Sequence, residues 1–173
     1  MSKTRKIVFA ALMTSSASLC SQMSIPTPWG IPINLATLAV FLSGALLGPL
    51  WGGGAITAYI LLGMFGAPVF AGMNGGLPAV MGPTGGYIIG YAAAAFTVGA
   101  MTRRHFPDML SMAFGLTVCY AFGTLWYMRL MGTGIWHSLM LCVLPYIPGD
   151  ILKIAAASLL VQRLRPVICK SKT

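Results

Sequence analysis

Asp150 and Lys153 are the residues best equipped for chemistry in this sequence. They stand in "PGDILK", inside the apolar run "LMLCVLPYIPGDILKIAAASLLV", in a chain with only two acidic residues. A three-residue spacing puts both side chains on one face of a helix. Pro148 suits a first helical turn, and a carboxylate in that turn complements the positive helix end. Lysine and free N–H groups at a helix start attract an anion such as a carboxylate, while Asp150 either holds the lysine or accepts from a ligand. The same arrangement also serves as a structural cap with a helix-end ion pair. The residues alone leave both readings open.

Two segments rich in glycine and proline accompany the pair, "SIPTPWGIPI" at 24–33 and "APVFAGMNGGLPAVMGPTGGY" at 67–87. Neither carries a charge. Irregular backbone near membrane depth must be buried in protein or line a cavity, because lipid cannot satisfy its polar groups. The second segment therefore reads as a cover over a small molecule. Its candidate contacts are Phe70, Asn74, Gly75, Gly76, Thr84 and Tyr87, and the alternative is a pair of plain connectors. Tyr91, four residues past Tyr87, is either an interfacial anchor or a further contact.

These residues need elements to hold them. The chain has 173 residues, of which 57% are hydrophobic and 8% charged, against roughly 25% charged in soluble domains. It reads as an all-α integral membrane protein, a single transmembrane substrate-binding domain over 1–173. Spans are expected near 7–24, 33–47, 50–66, 84–102, 109–131 and 148–165. Gly48-Pro49 marks a tight turn between the second and third, with proline opening the next helix. The apolar stretch "GTGIWHSLMLCVLPYI" is too short to cross and is expected to lie at the interface or cap the bundle.

Charge orients these six spans. Lys3, Arg5 and Lys6 precede the first; Arg103, Arg104 and Asp108 lie between the fourth and fifth; Arg163, Arg165, Lys170 and Lys172 follow the last. An even number of spans puts all three clusters on one side, which the positive-inside rule makes cytoplasmic. The expected topology is N-in and C-in across the cell membrane, with the long loops outside.

Small residues recur at helical spacing in two spans. Gly86, Gly90 and Ala94 form a stripe that admits a close neighbouring helix. In the first span Ala10 with Thr14, and Ala11 with Ser15, suit either internal packing or the docking of a second membrane protein.

Other chemistries find little support. The basic residues sit at span ends rather than on a face interleaved with aromatics, which argues against nucleic acid. Cys20, Cys119, Cys142 and Cys169 contain no C-x-x-C pair, so buried thiols are expected rather than disulfides or a metal site. His105, beside the basic residues after the fourth span, and His137, in the capping segment, form no recognisable catalytic constellation, and no P-loop, H-E-x-x-H or G-x-S-x-G occurs. No catalytic residue, metal or cofactor is expected, and any energy from ATP must come from another chain.

The segments "IPINLATLAVFLSGALLGPLWG", "PVFAGMNGGLPAVMGPTGGYIIGYAAAAFTVG" and "PGDILK" resemble, in this order, the BioY family of biotin transporters. These are substrate-binding S components of energy-coupling factor (ECF) transporters, a class of ABC importers. The resemblance implies six membrane helices and biotin as the transported ligand, with its carboxylate near Asp150 and Lys153 and its rings under the loop around Asn74 and Tyr87. It also implies a transmembrane coupling protein and two cytoplasmic ATPases as partners, with Ala10, Ala11, Thr14 and Ser15 of the first helix toward the coupling protein. The alternative is an S component or small transporter for a different vitamin-like carboxylate. Asn34 and Ala36 depart from the threonine and glutamine usual in the family's P-x-T-L-Q-T. Thr14 or Ser15 replaces the second alanine of its helix-one motif.

Overall fold

The computed structural model describes residues 2–28 and 30–170, without the side chains of Val167, Cys169 and Lys170. Trp29, Lys172 and the side chains of Cys169 and Lys170, which figure in the sequence reading, lie outside the described residues.

Among the described residues seven helices follow one another: α1 (Lys3–Gln22), α2 (Ala36–Met64), α3 (Leu77–Met81), α4 (Gly85–Arg103), α5 (Asp108–Met131), α6 (Ile135–Cys142) and α7 (Ile147–Lys170). By length and composition α2 and α5 can cross a membrane, and α6 with α7, bent by 53° at their junction, makes a third candidate. α2 is not one rod. Gly48 takes φ 78°, ψ −178°, a conformation open to glycine and to few other residues, and Pro49 starts the second arm. The Ser43 hydroxyl donates to the Gly52 carbonyl at 3.0 Å, whereas nine residues along a straight helix would separate these groups by roughly 13 Å. The arms thus fold back as a hairpin, 36–47 and 49–64, as the Gly-Pro pair predicts. At roughly 18 and 24 Å the arms are shorter than a hydrocarbon core of about 30 Å.

Two features depart from the pattern of six spans joined by loops. A small antiparallel ladder pairs β1 (Ser24–Ile25) with β2 (Ile33–Asn34), in register Ser24 to Asn34 and Ile25 to Ile33. Prolines at 26, 28 and 32 prevent a helix between the strands. The expected span at 33–47 therefore begins only at Ala36, whose N–H donates to the Asn34 side-chain oxygen at 3.1 Å. Within 67–83 the chain also winds the short helix α3.

Glycines let the long helices touch. The stripe on α4 faces α5: a Cβ on Gly86 would lie 2.3 Å from Trp126 Cβ, and one on Gly90 3.2 Å from the Cys119 carbonyl. Thr14 of α1 is buried and donates to the Ala55 carbonyl of α2 at 2.8 Å. It is spent on packing within the chain, so of the four residues expected to meet a second protein only Ala11 and Ser15 face fully outward.

The helix ends sort the charges. Lys6 Nζ lies 6.0 Å from the Trp51 ring centroid at the α2 turn. The Arg103 guanidinium packs beside Gly48 of the same turn, and Arg165 pairs with Asp108 at 2.7 Å. Basic residues from α1, α4 and α7 thus share one pole. The 24–34 and 67–83 loops, α6 and the start of α7 form the other.

Candidate functional site

A cavity of about 380 Å³ opens at the loop pole, within the roughly 300–1,000 Å³ usual for small-molecule sites. α7 presents Asp150 and Lys153 to it, α4 presents Tyr87 and Tyr91, α5 presents Cys119 and Tyr120, and the two loops close the outside.

Asp150 is the centre of its polar end. It is 3% exposed, and Lys153 8%. Lys153 Nζ donates to Asp150 Oδ1 at 2.7 Å, Thr37 of α2 donates to the same oxygen at 3.3 Å, and Tyr120 donates to Oδ2 at 2.5 Å. A carboxylate offers about four acceptor sites, so these three donors leave little capacity for a ligand. Lys153 carries three N–H donors, and Asp150 takes one. The carboxylate therefore fixes the ammonium, and the ammonium is the group with donors to spare.

Of the other expected contacts, Phe70, Asn74, Gly75, Thr84 and Tyr87 line the same cavity. Gly76 does not. It stands at the N-terminus of α3 with φ 86°, and its N–H donates to the Gly63 carbonyl at 2.7 Å, which turns it toward α2. The Tyr87 hydroxyl donates to the Cys142 carbonyl at 2.7 Å, so Tyr87 offers its ring to the cavity. Phe70 is 3% exposed and stands edge-on to Tyr59, centroids 5.5 Å apart. Asn74 sits at the exposed rim, its amide donating to the Ala71 carbonyl at 2.9 Å.

The cavity also holds residues that sequence reasoning passed over: Thr37, Tyr59, Tyr120 and Tyr146. Tyr91, which the sequence leaves as an interfacial anchor or a further contact, is buried and lines the same cavity. Asn34, whose side chain accepts at the start of α2, also lines the cavity. No cluster of three or more His, Cys, Asp or Glu able to hold a metal occurs among the described residues.

The profile of the BioY family matches residues 1–170. The chain belongs to the BioY family. A relative from Pyrococcus horikoshii named "Probable biotin transporter BioY" is 37% identical over 163 residues, 94% of this chain and 98% of its own length. The BioY protein of Thermotoga maritima, named "Biotin transporter BioY", is 31% identical over 164 residues, 93% and 96% of the two chains. The fold is also similar to the crystal structure of a biotin S component from an ECF-type ABC transporter, with TM-score 0.88, 28% identity and coverage of 95% and 94%. BioY proteins are transporters, not enzymes, and this one is a membrane protein.

Proposed function

We propose that this protein binds biotin from outside and delivers it inward as the substrate-binding subunit of an ATP-driven importer. The observation that carries the reading is the buried Asp150–Lys153 pair in the wall of a cavity lined by two uncharged loops. α1, the two arms of α2, α4, α5 and α7 act as six spans, with α6 at the outer surface. The short arms of α2 cross with local thinning of the bilayer. The basic pole lies in the cytoplasm, which gives N-in and C-in. A transmembrane coupling protein and two ATPases supply the energy, and Ala11 and Ser15 face the former.

Within the cavity, the spare donors of Lys153 meet the biotin carboxylate while Asp150 positions Lys153. Phe70, Asn74, Gly75, Thr84 and the Tyr87 ring enclose the rest. Direct binding of labelled biotin to the purified protein, with thiamine and riboflavin as competitors, tests the reading. Biotin alone is expected to compete, and Lys153→Met to weaken binding more than tenfold, about 1.4 kcal/mol. Unchanged affinity removes Lys153 from the site. Competition by another vitamin favours a subunit of different specificity.

One observation favours a second orientation. Asp150 and Lys153 already balance each other's charge while buried, so a ligand carboxylate there adds an unmatched charge away from water. The neutral cyclic urea of biotin, with two N–H donors and one carbonyl, avoids this and leaves the carboxylate at the loop rim. Biotin methyl ester separates the two: a tenfold loss that Lys153→Met abolishes supports the carboxylate, and full affinity supports the urea.

A further inference from the structure

The 67–76 segment covers the cavity, and its attachments are unevenly distributed. Both feet are tied to the end of α2: the Ala67 N–H donates to the Leu62 carbonyl at 3.1 Å, and the Gly76 N–H to the Gly63 carbonyl at 2.7 Å. Between them, three hydrogen bonds stay inside the segment, as from the Phe70 N–H to the Asn74 carbonyl at 3.0 Å. Among the described residues, every hydrogen bond from the tip to another element goes to one side chain. That side chain is Gln22, the last residue of α1.

Its amide uses both ends. Gln22 Nε2 donates to the Pro68 carbonyl at 3.2 Å and to the Phe70 carbonyl at 3.0 Å, and Gln22 Oε1 accepts the Met73 N–H at 3.0 Å. The middle contact bears directly on the cavity. Phe70 is the tip residue whose ring is buried in the lining, so Gln22 grips the backbone of the residue that seals it. Gly72 and Met73, with φ 71° and 59°, turn the chain so that the Met73 amide faces Gln22. Asparagine is one methylene shorter, and leucine has neither donor nor acceptor.

We propose that Gln22 is the latch of this cover and sets the rate at which ligand leaves the cavity. The proposal rests on the cavity being the biotin site. With the latch released the tip swings on its two feet, exit opens, and entry is not impeded. Gln22 is a positioning residue and touches no ligand.

Two measurements on the full chain in detergent test it. Hydrogen exchange of peptides spanning 68–76 needs no ligand: Gln22→Ala is expected to speed exchange there at least fivefold, while peptides from the middle of α2 stay unchanged. Stopped-flow dissociation of labelled biotin is expected to accelerate five- to twentyfold in Gln22→Ala with association unchanged or faster. Gln22→Glu, which keeps the acceptor for Met73 but opposes two carbonyls with a carboxylate, is expected to release as fast as Gln22→Ala. Unchanged exchange at 68–76 overturns the latch. So does wild-type dissociation in Gln22→Ala, or slower association at equal dissociation. Failure of the wild-type protein to bind biotin overturns the functional reading instead, and the exchange result still decides the latch.

Discussion

The chain's two acidic residues each lie 2.7 Å from a cation of α7, yet they belong to different physical worlds. Asp150 meets Lys153 one turn away and Asp108 meets Arg165 across 57 residues. Lys153 and Arg165 share one helix, roughly 18 Å apart along its axis. At the loop pole both partners are buried, their side chains 10% and 4% exposed, and two further hydroxyls converge on the carboxylate. At the basic pole the arginine side chain is 42% exposed and the carboxylate 11%, and among the described residues no third group joins. A partly exposed pair contributes about 0–1 kcal/mol, whereas breaking a buried pair by removing one partner costs about 3–5 kcal/mol. Identical distances thus carry unlike energies, and only the buried pair can hold a charge ready for a ligand.

The largest effect should come from stranding the buried lysine. Asp150→Ala leaves Lys153, Tyr120 and Thr37 without their shared acceptor and is expected to destabilise the protein by about 3–5 kcal/mol. Asp150→Ala combined with Lys153→Met removes both charges and should recover more than half of that loss, since an apolar replacement of a buried pair is often neutral. Thermal unfolding in detergent without biotin checks the order. A double variant no more stable than the single would mean that the pair is not desolvated.

A packing contact at the same pole ranks next. A Cβ on Gly63 would sit 2.1 Å from Phe70 Cζ, so Gly63→Ala must evict the ring from its place beside Tyr59. The expected cost is about 1–3 kcal/mol, as for other overpacked sites, together with a severalfold faster biotin release. Equal release in the variant would show that the ring does not seal the cavity.

How much of this was legible differs between the poles as well. Helix positions, the reversal at Gly48-Pro49 and the Asp150–Lys153 spacing are local features, and local features are written in neighbouring residues. The Thr37 and Tyr120 hydroxyls reach Asp150 over 113 and 30 residues, and nothing near them in sequence marks that meeting. Helices apolar all round show no preferred face, which is why Tyr91 read equally as anchor or contact and why Thr14 read as either internal packing or a partner contact until its bond to Ala55 placed it in the former. Gln22 carried no signal, because its role depends on a loop 46 to 51 residues away. Gly76 misled for the opposite reason. It sits in an attractive motif, but its φ of 86° serves the start of α3.

The smallest effect, at the basic pole, is the sharpest control on the comparison. Arg165→Gln removes the ion pair alone and is expected to cost under about 1 kcal/mol. Asp108→Asn removes the pair and also the only carboxylate in the first turn of α5, where a negative charge adds about 0.3–1 kcal/mol against the helix dipole. Asp108→Asn should therefore be the more damaging of the two by that margin. Both losses should shrink in 1 M salt, where the Debye length falls to about 3 Å, and biotin affinity should stay within twofold of wild type. The Asp150→Ala loss should barely respond to salt, because water and ions do not reach between its partners. A salt-insensitive loss at Asp108, or a salt-sensitive one at Asp150, would reverse the assignment of which pair is screened. Burial would then no longer explain why one carboxylate stands in the cavity wall and the other only ties α5 to α7.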